Sequence, residues 1–411
     1  LTRLDHQTGS PRGRTRRSLL RRSWLGCAWA GLLAAVILAG CWLVPLHGDE
    51  PTVIYMSLDV DALRRADFAA LAYRDPLPLN NTQAATRQDL RLINGVLNKY
   101  VYGALWLGAG MPPTAINDQW LWGADLAFNT ANGHVPSDGL LFLTRWGSGL
   151  LTVLSAALAF AIGRRVGGMR VGAAASLIYT LMPSVLLNGR RAMMESGLLL
   201  GGALVIYGGL ILAARLARPA APQWWIRAAV FGAAAGLAIA AKHTGLVLVA
   251  AVAAGVGVAA AISRQGAIVV HAMAALAFAG LIAALLFLTL NPAWWPDPLA
   301  MPGRVLAARS ALLAGQVRTF GGYQTFGERA AGFVQELLAA PSQYYEVGEG
   351  WPDWIGPQIA RYEAAGGGLL AGLSGPAWGA AFALLRVIGT ARAVRRWAQP
   401  PILICLISAA L

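Results

Sequence analysis

The sequence predicts an all-α protein, a polytopic transmembrane helical bundle with external loops carrying short interfacial helices. Three observations carry that class. The 411 residues are 57% hydrophobic and only 13% charged, more apolar surface than a soluble domain hides. The apolar residues fall into runs of about 20, the length a helix needs to cross a hydrocarbon core of about 30 Å. Arginines gather on one side of those runs, which is the positive-inside pattern.

In chain order, residues 1–23 form a basic tail, cytoplasmic in this topology, and the first span covers 24–46. That span is too long, and lacks the small-residue cleavage site, for a removed signal peptide. Further spans are expected over 140–163, 171–189, 192–214, 267–290 and 367–390, with 398–411 an incomplete last one. The stretch 226–262 is harder. Its 37 residues would reach about 55 Å as one helix, too long for a single crossing. Lys242 sits near its middle, where a charge costs about 2.5–3.5 kcal/mol. Two short crossings that turn at Lys242-His243-Thr244-Gly245 remove both problems and bring the spans to nine.

Charge supports the count. Segments assigned to the inside hold 17 arginines against the single acid Asp5, whereas the external segments 46–139 and 292–366 hold 11 basic and 17 acidic residues. The net charge of +14 is therefore a topology signal, and arginines scattered over loops make no nucleic-acid footprint. A multi-pass protein of the plasma membrane is expected, with its amino terminus cytoplasmic. Cys27, Cys41 and Cys405 all fall in spans, so no disulfide framework or metal spacing is present. Leu1 is not a usual start, and the chain stops inside an apolar run at Leu411, so truncation of the last helices is expected.

The organisation reads as the tail 1–23, a transmembrane module 24–295 including the loop 46–139, a second external loop 296–366, and carboxy-terminal helices over 367–411. In the first loop, helices are expected from Thr52 to Leu63, from Asp61 to Leu71 and from Asp89 to Leu107, with 101–111 lying at the interface. Aromatic residues in both loops, among them Trp120, Trp122, Trp294 and Trp354, serve either as headgroup anchors or as the walls of a site.

The candidate chemistry begins with Asp49-Glu50, just beyond the first span. Structurally, an acidic pair favours the amino terminus of the next helix through its dipole. Chemically, a carboxylate at the membrane surface can take a proton from an acceptor hydroxyl, a contribution of about 10²–10⁴-fold. Both readings stand at this point. Arg145, in Leu143-Thr144-Arg145-Trp146-Gly147-Ser148, belongs to the outer face, where the charge bias gives no reason for an arginine. It either snorkels or offers a fork of donors to a phosphate. Arg190, Arg191 and Lys242 fall on the same face, and four cations there point to an anion site. Glu195 lies one turn after Arg191 and either pairs with it or acts in the site. His243 is a turn former or a ligand. Gly255-Val256-Gly257-Val258-Ala259-Ala260 matches a dinucleotide fingerprint by letters, yet it lies inside a span with no strand beside it.

In order and membrane side, these parts resemble the GT-C class of membrane glycosyltransferases, which use polyprenyl-phosphate sugars. The class includes the protein O-mannosyltransferases and the aminoarabinose transferase of lipid A. The resemblance rests on Gly48-Asp49-Glu50-Pro51, Arg145-Trp146-Gly147-Ser148, Met182-Pro183-Ser184 to Glu195, Gly236-Leu237-Ala238 to Gly245, and Asn291-Pro292, and it covers roughly residues 24–295. It implies an inverting transferase whose base is Asp49, with Glu50 assisting, and whose Arg145 holds the donor phosphate with Lys242 and Arg191 nearby. Glu195, His243 and Arg190 would support. Implied partners are a polyprenyl-phosphate sugar, a protein, lipid or glycan acceptor, and membrane lipid. Some members of the class use a divalent cation, and no ligand set for one is visible here. Many relatives carry an aspartate where Glu195 stands. The rival reading is a transporter or flippase of a lipid-linked anion, in which the same cations line a passage.

Overall fold

The computed structural model describes residues 12–75, 82–216, 224–339, 342, 344, 351–395, 399, 402 and 404–405. Among these the chain folds into α-helices and three short 3₁₀ turns, with no strand, so the all-α class is borne out. Helix α1 (Arg12–Ala39) leads into a first external region built of α2 (Asp49–Met56), α3 (Asp59–Arg64), α4 (Phe68–Leu71), α5 (Thr82–Ile93), α6 (Leu97–Gly108) and α7 (Leu126–Ala131). The bundle follows as α8 (Asp138–Gly167), α9 (Met169–Leu181), α10 (Pro183–Arg190), α11 (Glu195–Leu216), α12 (Trp224–Ala241), α13 (Gly245–Ile262) and α14 (Gly266–Leu290). A second external region holds α15 (Met301–Phe320), α16 (Phe326–Ala339) and α17 (Trp351–Ala364), before α18 (Pro376–Val394).

Among the described residues, helices α8, α11, α12, α13, α14 and most of α18 are long and apolar enough to cross a membrane, and the bent pair of α9 and α10 makes a seventh if it crosses as one span, against the nine expected. This is a multi-pass membrane protein. The turn between α12 and α13 falls at Lys242–Thr244, as the charge in mid-run requires, and each of these 18-residue helices is about 27 Å long. Small residues let the core helices approach closely. A Cβ on Gly201 would stand 2.7 Å from Ala238 Cα, and one on Gly232 would stand 2.4 Å from the Ala279 carbonyl.

Two contacts tie the external region to the bundle. The Val96 N–H donates to the Ala240 carbonyl at 2.6 Å, occupying one of the acceptors that the end of α12 leaves open. Gly95 makes this possible, since a Cβ there would lie 2.0 Å from the Ala241 carbonyl. The loop is thereby tied to the end of α12, just before the turn that carries Lys242. The second contact holds the unwound residues 191–194. Asn98 Nδ2 donates to the Met193 carbonyl at 2.7 Å and to Ser196 Oγ at 2.8 Å, and the Tyr102 hydroxyl donates to the same carbonyl at 2.8 Å. Irregular backbone at this depth needs such protein partners.

Within the first loop, Asp59 accepts from Arg91 Nε at 3.0 Å and from Lys99 Nζ at 2.6 Å, all three side chains being buried. Burial alone would raise the Asp59 pKa. The Lys99 charge and the Arg91 bonds overrule it and bring the carboxyl down to about 2.

Several expectations are corrected. The span expected over 171–189 is bent by 64°, because Pro183 cannot continue a helix and holds Met182 extended. The span expected from 192 begins at Glu195, after the unwound stretch. That expected over 367–390 starts at Pro376, since Gly366, Gly367 and Gly368 take left-handed backbone at φ 59°, 64° and 87°. The helix expected from Thr52 starts at Asp49 and stops at Met56. The one expected over 61–71 splits at Ala66, which has φ 55°, and the one over 89–107 splits before Leu97. Within 101–111, Tyr102 and Trp106 are fully buried, whereas Ala104 and Gly108 to Gly110 are exposed. Most of the incomplete span 398–411 lies outside the described residues.

Asp59→Asn is expected to leave two buried cations poorly matched and to cost about 3–5 kcal/mol of stability, read as thermal unfolding in detergent. Asp59 is acidified in the folded state, so its contribution is complete above its unfolded value of about 3.9 and is lost as pH falls through about 2.

Candidate active site

Asp49 and Glu50 open the same helix and meet opposite fates. The bond from the Glu50 N–H to the His47 carbonyl at 3.0 Å starts the turn, and Gly48 admits Trp122, whose ring carbon would stand 2.5 Å from a Cβ at that position. Rotation of 100° per residue then sends the Glu50 side chain inward, where it is completely buried, and leaves Asp49 partly exposed.

Glu50 is saturated. Its Oε1 accepts from Arg145 Nη2 at 2.7 Å and from the His47 N–H at 3.1 Å; its Oε2 accepts from Arg145 Nε at 2.7 Å and from the Ala192 N–H at 2.9 Å. Burial opposes ionisation of this carboxyl. The Arg145 charge and bonds, the Ala192 N–H and the Arg191 charge outweigh it and hold the group below the usual carboxylate range. The Ala192 N–H is available only because residues 191–194 are unwound. A carboxylate with four donors has no lone pair left for an incoming proton. Glu50 therefore positions Arg145 and α2, whereas Asp49 is partly exposed.

The cations separate as well. Arg145 is buried, with two nitrogens on Glu50, and it also lines a cavity of about 390 Å³ with Trp42, Asp138, Phe142, Gln358 and Arg361. Arg191 is buried nearby and donates from Nε to the Pro45 carbonyl at 3.1 Å. Arg190 turns away. Its Nε donates to the Ile37 carbonyl at 2.8 Å and its Nη2 to the Val36 carbonyl at 2.6 Å, while Nη1 serves the Tyr362 hydroxyl and the Leu370 carbonyl. It caps the end of α1, where open carbonyls and the helix dipole favour a cation. Gly40 leaves room for it, since a Cβ there would lie 2.2 Å from Arg190 Cζ.

Glu195 pairs with Lys242, at 2.7 Å, and not with Arg191 one turn earlier; both partners are about a quarter exposed. His243, next in the turn, packs against Phe287 and Trp294 with ring centroids 6.2 and 6.0 Å away. Burial, aided by the Arg309 charge, pushes its pKa down to about 4, so the ring is neutral at pH 7. Several buried polar atoms around this turn lack a hydrogen-bond partner: Glu195 Oε2, both His243 ring nitrogens, Asn291 Oδ1 and Trp294 Nε1. Unsatisfied buried groups are uncommon in folded proteins, and these are gathered around one turn.

Sequence reasoning did not single out Arg309. It reaches from α15 to donate to the Ile93 carbonyl, and its charge acts on both Asp49 and His243. Burial lowers its pKa, and Asp49 partly offsets this. Among the described residues no group of three His, Cys, Asp or Glu side chains could hold a metal ion.

Residues 112–295 match the family model for dolichyl-phosphate-mannose-protein mannosyltransferase. The resemblance read from the motifs is borne out over that segment, which contains Arg145, Arg190, Arg191, Glu195, Lys242 and His243 and excludes Asp49, Glu50 and Arg309. The chain is also similar to the S. cerevisiae protein O-mannosyltransferase Pmt1-Pmt2 complex bound to the sugar donor, at 17% identity and a TM-score of 0.46, over 66% of this chain. The chain covers 33% of that relative's length. No curated protein matches.

Glu50→Gln is expected to strand Arg145 in the interior and to cost about 3–5 kcal/mol, read as a lowered thermal transition. Asp49→Asn should cost much less in the same measurement. Equal losses would contradict the division of labour between the two carboxyls.

Proposed function

We propose that the chain is an inverting GT-C glycosyltransferase, which moves a sugar from a polyprenyl-phosphate donor to an acceptor hydroxyl at the extracytoplasmic face of the plasma membrane. The reading rests on the unequal fates of two adjacent carboxylates, one locked by four donors and the other partly exposed within the field of Arg309. The family description names mannose, a dolichyl phosphate and a protein, so mannosyl transfer to a serine or threonine hydroxyl of a protein is the reaction to try first.

Asp49 accepts the proton of the acceptor hydroxyl. The acceptor oxygen then attacks the anomeric carbon from the side opposite the phosphate, the bond from that carbon to the phosphate oxygen breaks, and the phosphate departs with the electron pair. Configuration inverts. A phosphate is a good leaving group, so no acid need protonate it, unlike the leaving oxygen of a glycosidase. What it needs is positive charge, and that need grows as the diester becomes a monoester. Lys242 is the partly open cation and contacts the phosphate directly. Arg145 and Arg191, buried behind Glu50, add a field, and Arg145 reaches the adjoining cavity. The orphaned atoms of Glu195, His243, Asn291 and Trp294 supply donors and acceptors that suit a polyhydroxylated ring.

In nanodiscs, the purified chain is expected to transfer radiolabelled mannose from polyprenyl-phosphate mannose to a serine- or threonine-containing peptide. Asp49→Asn should lower turnover by about 10²–10⁴-fold while donor binding persists. Full turnover in that variant would remove Asp49 as the base, and no transfer by the wild type from any lipid-linked sugar would remove the reaction itself.

A further inference from the structure

Outside the site just described, the first external region holds an open cavity of about 940 Å³, walled by α3, α4, α5 and the turn Pro113–Ala115. It shares no lining residue with the cavity that Arg145 reaches. Tyr55 links the two regions. Its hydroxyl accepts from Arg87 Nε at 2.9 Å, and it lies six residues after Asp49 on α2, about 9 Å along the axis.

Three side chains of the wall carry donors that the chain does not use. Gln88 is only 8% exposed; its Oε1 accepts the Arg74 N–H at 2.9 Å, while its Nε2 has no partner among the described residues. Arg87 is half-buried, spends Nε on Tyr55 and sets its guanidinium 5.0 Å from the centre of that ring. Its other two nitrogens have no acceptor among the described residues. Arg74 is exposed, gives Nη2 to the Ala69 carbonyl at 3.2 Å and makes no ion pair with a described carboxylate. A nearly buried amide such as that of Gln88 needs an acceptor from outside the chain.

Arg65, Arg74, Arg87 and Arg91 line the cavity, against Asp59, Asp61 and Asp118. Asp59 is taken by Arg91 and Lys99, and Asp61 by Arg64 and Arg65. Of the lining acids, Asp118 is left to face Arg74 and Arg87. Asp67, which caps α4, Asp75, which pairs with Arg304, and Asp89 on α5 lie outside the lining. The unused donors therefore call for an anion, and Asp118 calls for a hydrogen-bond donor beside it. A peptide with an acidic side chain offers both, the second from its backbone N–H groups. No aromatic ring lines the cavity to stack a base, and Leu58 and Ile116 are too few to hold a lipid chain. A space of this size takes an extended ligand in place of a single ion. We propose that the cavity docks an acidic peptide segment: Arg74, Arg87 and Gln88 bind a carboxylate side chain, and Asp118 accepts from the adjoining backbone. The docking requires no step of sugar transfer.

The test uses the full chain in phosphatidylcholine nanodiscs and a pair of end-capped peptides bearing the same neutral dye, one rich in glutamate and the other with glutamine in each of those places. Fluorescence anisotropy reads binding. The wild type is expected to bind the glutamate peptide about tenfold or more tightly than its analogue, and added salt should narrow the difference. Arg87→Ala should weaken the glutamate peptide by about tenfold to a hundredfold, the range of a hydrogen bond to a charged group, and leave the glutamine peptide unchanged. Gln88→Glu keeps an acceptor for the Arg74 N–H and puts a negative charge on the wall, so it should erase the preference. Equal affinity of the wild type for the two peptides overturns the proposal. So does a preference that survives both substitutions, which would place the peptide elsewhere. Inorganic phosphate bound in an Arg87-dependent way, with no binding of either peptide, would overturn it too and mark a small-anion site. Should Arg87→Ala fail to fold, Arg74→Gln makes the same comparison at an exposed position whose bond to Gln88 uses only the backbone. Glutamate-dependent binding by a protein that transfers no sugar would remove the transferase reading and leave this one standing.

Discussion

The buried pair of Glu50 and Arg145 is the interaction on which the site depends. It joins the first residues of α2 to the start of α8, and its two remaining acceptor positions are filled by the His47 and Ala192 N–H groups. One carboxylate thereby fixes three segments that are distant in sequence. An ion pair removed from water gives little net stability, because desolvation offsets most of the attraction. Its value here is geometric. With Glu50 fixed, Asp49, one residue earlier on the same helix, is left partly exposed.

The bundle and the loops depend on each other at the same places. The unwound stretch after α10 supplies the N–H that Glu50 needs, and it is held open by Asn98 and Tyr102 from the loop. The loop is in turn tied to the Ala240 carbonyl at the end of α12, two residues before Lys242. Neither half is complete alone. The acid and the lysine are consequently carried on one rigid unit, even though nearly two hundred residues separate them.

The sequence made the bundle legible where a single physical cost dominates. A lysine in mid-run forces a turn, and the turn is found at Lys242–Thr244. Reading failed where local and global signals compete. Pro183 and the glycines at 366–368 are visible in the sequence, yet hydropathy averages over them and hides the breaks they cause. The site was legible as a set of residues and not as an arrangement. Arg190 and Arg191 are neighbours, but the backbone leaves its helix between them, so one caps α1 and the other stays beside Glu50. Which acid of the pair is buried depends on an N–H from residue 192, and no local pattern announces that. Arg309 gave only the weak signal of a cation between leucines on one helix face.

The cap that Arg190 places on α1 has a consequence for biogenesis. Its acceptors come from residues 36 and 37 and from residues 362 and 370. The first helix is made early, but this guanidinium obtains its last two acceptors only after 180 more residues, up to Leu370, have been made. The amino-terminal half must therefore wait with an arginine whose hydrogen bonds are incomplete. Maturation of the protein is a late, whole-chain event, and ribosome stalling before residue 370 would leave an inserted but unlatched intermediate for quality control to remove.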